Sequence, residues 1–219
     1  MLTQQELSGF WQTEVERFIP DPEKSLEEAF QFIACPVCHT LSRLPFEYGC
    51  ALPARWAEEA TVREVVCRAG GFCNRHTWRM ADLQSDRALA RIYRDVLSWL
   101  RANNFAADLQ CPICRLTSEA DRRLLEAFAR YFASAERRQR YPRIFGLCYR
   151  HLTEALSREL DGTLRIVLLE TEAAKAKALA RNVEGYLAKD SVQGKWTRTH
   201  DENRAPRHAL VKTAGDDGA

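Results

Sequence analysis

Eight residues of metal-ligand type recur in a fixed order along the chain. Cys35 and Cys38 stand in C-P-V-C, and Cys73 and His76 in C-N-R-H. Cys111 and Cys114 follow in C-P-I-C, and Cys148 and His151 in C-Y-R-H. The second set lies 75 or 76 positions after the first, and Gly71-Phe72 precedes one CxxH as Gly146-Leu147 precedes the other. A C-x-x-C turn aims two sulfurs at one point. A C-x-x-H at a helix start does the same for a thiolate and an imidazole, because positions i and i+3 share a face. Two closed sets of four protein ligands are the pattern of structural zinc, which keeps no open position. Three thiolates around Zn²⁺ leave a net negative charge, and helix N-termini at the ligands would offset it. The expectation is two zinc ions per chain. The internal repeat favours consecutive pairing: Cys35, Cys38, Cys73 and His76 in one site, Cys111, Cys114, Cys148 and His151 in the other. The intervals between pairs are 34, 34 and 33 residues, so spacing alone does not exclude a cross-braced arrangement.

Other chemistry for these residues is weaker. Disulfides would leave both histidines unexplained, and buried thiols would leave the repeat unexplained. An iron–sulfur cluster on the same Cys₃His ligands, serving electron transfer, is the alternative; such clusters are usually all-thiolate, which favours zinc. Cys35 to His39 also spells the C-x-x-C-H of haem attachment. Arg115 occupies the matching position in the second unit, so His39 is read as a surface residue. Cys50 and Cys67 have no repeat partners and are read as free buried thiols. The chain holds no glycine-rich phosphate loop, no G-x-S-x-G and no H-E-x-x-H, so no catalytic constellation is assigned.

The elements that must position the ligands read as helices. Apolar residues at the 3.6 period predict helices over 2–19 and 86–101. Helices are also read over 54–68 and 163–188, although Leu164 to Leu169 alone would pass for a strand. Ser25 and Glu28 suggest a capping box opening a helix from Leu26 to Ala34. Further helices are predicted over 73–83, from Cys111 to about Arg138, and over 148–160. Pro45, Gly49 and Pro53 predict an irregular stretch over 41–53, and the chain from 189 reads as a polar tail. The expected architecture is an all-α tandem helical repeat. Its parts are N-terminal helices over 1–34, a first CPxC/CxxH unit over 35–110, a second over 111–188, and the tail over 189–219.

C-P-I-C-R-L before a charged amphipathic helix, and later G-L-C-Y-R-H-L, resembles a bacterial family of small cysteine-rich proteins, a domain of unknown function with tandem CPxC…CxxH units. The resemblance covers most of residues 30–190. It implies paired Cys₃His sites and a helical body, and implies no activity.

Composition narrows the function. The 219 residues are 46% hydrophobic, enough for a core, and 32 basic against 30 acidic residues give a net charge of +2. A nucleic-acid binder normally shows a basic excess. The densest basic patch, Arg137, Arg138, Arg140 and Arg143, is read as a solvated helix end. No apolar run reaches the length of a membrane span, and the N-terminus lacks the apolar core of a secretion signal. The expected function is a cytoplasmic, zinc-stabilised accessory protein that binds another protein, with Trp196 in the tail as the candidate anchor.

Overall fold

A computed structural model describes residues 2–107, 109–157 and 160–215. Among these residues the structure is all-α, with no strand. The helices are α1 (Gln4–Phe18), α2 (Pro22–Ala29), α3 (Pro36–Glu58), α4 (Ala60–Arg68), α5 (Asn74–Leu83), α6 (Asp86–Ala102) and α7 (Pro112–Ala133). They continue as α8 (Ala135–Arg140), a 3₁₀ turn (Tyr141–Arg143), α9 (Tyr149–Ser157), α10 (Gly162–Ala188), α11 (Val192–Lys195) and α12 (His200–Ala214).

The chain forms two compact units that do not follow the two sequence repeats. Unit 1 is Met1–Pro20 with Arg43–Arg122, and unit 2 is Asp21–Ser42 with Arg123–Ala219. This corrects the division into 35–110 and 111–188. The physical reason is continuity: α3 starts in unit 2 and ends in unit 1, and α7 does the reverse.

Several local expectations change as well. The stretch over 41–53 is helix, not irregular, and α3 contains both Pro45 and Pro53. An interior proline costs about 3 kcal/mol relative to alanine. The buried stripe of Leu41, Leu44, Tyr48, Leu52 and Trp56 offsets it, at about 1.5–3 kcal/mol for a large apolar side chain. α2 begins earlier than the Ser25 pattern suggests. Asp21 caps it, accepting from the Lys24 N–H, with Pro22 in the first turn, where a missing N–H costs nothing. The helix expected over 54–68 is broken at Glu59, and the one expected to Arg138 is broken at Ser134, each an extended residue. Ser134 then caps α8. The end expected for the helix over 148–160 falls partly on residues 158–159, outside the described ones. The largest change is in the tail. Residues 200–214 form α12, opened by a Thr199/Glu202 capping box and packed on α10 and α9.

Unit 1 is built around Leu7, Trp11 and Val15 of α1, Tyr48 and Leu52 of α3, Val62, Val65 and Val66 of α4, and Ile92 and Val96 of α6, all buried. Within it Glu14 takes two bonds of 2.7 Å from the Arg55 guanidinium, and both side chains are buried. Arg55 also bonds Glu59 at 2.8 Å. Unit 2 is centred on the interlocked rings of Phe128, Phe132 and Tyr141, whose centroids lie 5.2–5.9 Å apart. Leu26, Leu124, Leu125, Leu168 and Ala205 complete its core.

Candidate metal centres

All four ligand pairs sit at helix starts. Cys35, Cys73, Cys111 and Cys148 each immediately precede the first helical residue of α3, α5, α7 and α9. Their carbonyls accept the first intrahelical bonds, from His39, Thr77, Arg115 and Leu152. The second ligand of each pair, Cys38, His76, Cys114 or His151, is therefore the third helical residue. Pro36 and Pro112 occupy the first helical position, which suits their fixed φ. Gly71 and Gly146, two residues before Cys73 and Cys148, have φ of +94° and +84°, a left-handed turn that favours glycine.

Two of these helix starts converge in each unit, and the ligands form two groups of four. In unit 2 the group is Cys35, Cys38, Cys148 and His151. The His151 Nδ1 lies 3.3 Å from the Cys35 sulfur, 3.2 Å from Cys38 and 3.3 Å from Cys148. The Cys38 and Cys148 sulfurs are 3.7 Å apart. In unit 1 the group is Cys73, His76, Cys111 and Cys114. There the His76 Nδ1 lies 3.3–3.4 Å from the three sulfurs, and Cys73 and Cys114 are 3.7 Å apart. The eight ligands come together as the sequence led us to expect, but the consecutive pairing is corrected. Cys35 and Cys38 join Cys148 and His151, while Cys73 and His76 join Cys111 and Cys114. The near-equal intervals made both pairings compatible with spacing, and the crossing of α3 and α7 from one unit to the other selects the second.

The geometry fits a single tetrahedral ion. With Zn–S about 2.3 Å and Zn–N about 2.0–2.1 Å, tetrahedral edges are about 3.8 Å for S···S and 3.6 Å for S···N. The sulfurs are not disulfide-bonded, which would bring a pair to about 2.05 Å.

The local electrostatics favour anionic sulfur at one thiol of each group, Cys73 and Cys148. Burial pushes the Cys73 thiol up, but the backbone N–H groups of His76 and Arg75 and the Cys114 and Cys111 thiols outweigh it, so the net shift is down. In unit 2, bonds from Cys35 and Cys38 hold the Cys148 thiol far below its usual range despite burial. Cys35 is pushed well up by burial and its sulfur neighbours. Burial, with the charges of Arg75 and Arg79, lowers His76 and keeps it the neutral imidazole that a metal requires.

The two centres differ in cover. In unit 2, Cys35, Cys38, Cys148 and His151 are all buried. α12 ends against this group: a Cβ on Gly215 would stand 2.8 Å from the Cys38 sulfur and 3.7 Å from that of Cys148. A buried polar network braces the turn into α9. Glu172 of α10 accepts from the Tyr141 hydroxyl and the Lys212 ammonium. Lys212 also donates to the Phe145 carbonyl at 3.2 Å, and Lys175 to that of Tyr141 at 2.9 Å. Gly146 is tied to this network, since a Cβ there would strike the Glu172 carboxylate and come within 2.6 Å of Lys175 Nζ. Sequence reasoning missed Glu172, Lys212 and Gly215. The Thr199-x-x-Glu202 capping box was the available signal for the helix that carries the last two. In unit 1, Cys73 and Cys111 are half-buried and Cys114 is exposed.

The remaining assignments resolve individually. Cys67 is buried as expected, and burial pushes its thiol up to about 11. Cys50 is free but exposed, not buried. His39 lies outside the ligand groups and stacks on Phe32, with centroids 4.2 Å apart. Arg137 bonds Glu23 and Glu27, Arg140 bonds Glu136, and Arg138 caps carbonyls of Phe132 and Ala133. Trp196, at the end of α11, is 89% exposed. Among the described residues, no helix is long and apolar enough to cross a membrane. Neither the family models, nor the curated proteins, nor the solved structures compared with the chain give a match.

Proposed function

We propose that the chain is a zinc-stapled helical interaction protein, with one structural ion in each unit and a protein as its partner. The observation that carries the zinc reading is the set of short edges, 3.7 Å between sulfurs and 3.2–3.4 Å from imidazole to sulfur, found in both groups. The same edges speak against the iron–sulfur alternative. In a four-iron cluster each ligand binds a different iron, which spreads the ligand atoms well beyond these distances. Zinc would supply cross-linking and charge neutralisation, while the chain supplies helix N-termini that face the thiolates. Elemental analysis of the purified, colourless protein tests this reading, with two zinc ions per chain as the expected result.

The partner reading rests on exposed apolar residues in the same stretch of chain as Trp196. Leu187 at the end of α10 is 65% exposed and Val192 of α11 is 73% exposed. Aromatic anchors of this kind dominate protein interfaces. Pull-down with wild-type protein and with Trp196→Ala tests it. The variant should lose about 2 kcal/mol or more of binding and keep its zinc.

A further inference from the structure

The two centres share ligand types and edge lengths but differ in access, and access governs thiolate chemistry as much as basicity does. In unit 2 all four ligands are buried, and α12 closes over two sulfurs through Gly215. That closure is pinned by Lys212 on Glu172. In unit 1 Cys114 is an exposed residue on the first turn of α7, with Cys73 and Cys111 half-buried beside it. In the loop that leads to Cys111, Asn103 to Ala107 are all exposed. Asn104 and Phe105 are both left-handed, with φ of +52° and +58°, a conformation that non-glycine residues adopt only at a cost.

We infer that the unit 1 centre is an exchangeable, thiol-reactive metal site entered through Cys114, whereas the unit 2 centre is sealed. This rests on the zinc reading above. The reactants for Cys114 are disulfides, low-molecular-weight or protein-borne. The metal-bound Cys114 thiolate attacks one sulfur of the disulfide. A new S–S bond forms between Sγ and that sulfur, the old S–S bond breaks, and the departing sulfur leaves as a thiolate with the electron pair. Cys114 is oxidised and the departing thiol reduced. The metal is left with three protein ligands and passes to an external acceptor.

The test uses the full-length, zinc-loaded chain carrying Cys50→Ser, which removes the other exposed thiol. The disulfide is 5,5′-dithiobis(2-nitrobenzoate), and a chromophoric chelator, 4-(2-pyridylazo)resorcinol, reports released zinc. Metal content is measured first, so that fewer than two zinc ions per chain refutes the zinc reading itself. With two ions loaded, zinc should leave in two equal phases, the slower by about tenfold or more. Peptide mapping during the fast phase should find the mixed disulfide on Cys114. Release of both ions in one phase, or first modification of Cys35, Cys38 or Cys148, overturns the inference. Gly215→Val should accelerate only the slow phase, since its side chain cannot fit against Cys38. The wild-type phases and the mapping decide the matter even if that variant does not fold.

Discussion

Cys35 and His151 are 116 positions apart in the chain and 3.3 Å apart in space, sulfur to Nδ1. This contact, and its counterpart between His76 and Cys111 at 3.4 Å, fix which residues act together. Ligands that share an ion should behave as one unit on substitution. Cys35→Ser and His151→Ala should each release the same zinc ion, and the double variant should lose no more metal than either alone. Cys35→Ser combined with Cys73→Ser should lose both ions. Zinc stoichiometry across these variants checks the pairing. Consecutive pairing would instead make Cys35 and Cys73 redundant.

Proton release on metal binding follows from the thiols of unit 1. Burial pushes Cys111 up, and burial with the neighbouring Cys111 raises Cys114 to about 12. Both are thiols at neutral pH without metal, and both must lose a proton to bind it. Zinc affinity of this site should therefore fall as pH falls, by about tenfold per unit for each proton released. Competition titrations against a chelator of known affinity between pH 6 and 8 measure the slope, and a pH-independent affinity would contradict it.

Gly146→Ala should destabilise unit 2. The position is left-handed at φ +84°, which alone costs a side chain about 1–2 kcal/mol, and the new Cβ would displace the Glu172 carboxylate. Thermal melting should fall by several degrees. Gly9→Ala, on a helix with open space around it, is the control and should melt no lower than wild type.

Arg55 lies between Glu14 and Glu59. Removing it strands a buried carboxylate, and breaking such a pair costs about 3–5 kcal/mol. Arg55→Ala should show this loss in denaturant unfolding, while Glu14→Gln with Arg55→Met should recover part of it. Full additivity of the two changes would mean that the pair does not act as a pair.

The ligand set was legible because chemistry demands it: few arrangements of eight Cys and His residues repeat in order unless they converge. Their pairing was not legible, since intervals of 34, 34 and 33 residues carry no preference and the choice lies in where α3 and α7 run. A long periodic helix such as α6 was readable from its apolar face, Leu89, Ile92, Tyr93, Val96 and Leu100. α3 was hidden by Pro45 and Pro53, whose local cost is overridden by buried neighbours far away in sequence. α12 was hidden by composition. It buries only small or medium residues, Ala205 and Val211, and its main ties to unit 2 include the Lys212–Glu172 ion pair and the Gly215 backbone, which leave no apolar periodicity.

The pairing also gives the chain a nested closure. The inner centre ties His76 to Cys111 across 35 positions, wholly inside the span of 110 that the outer centre ties between Cys38 and Cys148. The two spans are nested in sequence rather than interleaved. Joining the shorter span costs less entropy, by about 1 kcal/mol on the logarithmic scaling of loop closure. During synthesis the inner ligands are all present once Cys114 emerges, while the outer set waits for His151 and its cover waits for Gly215. The order of emergence and the entropy of closure therefore favour the same sequence of assembly, from the inside outward.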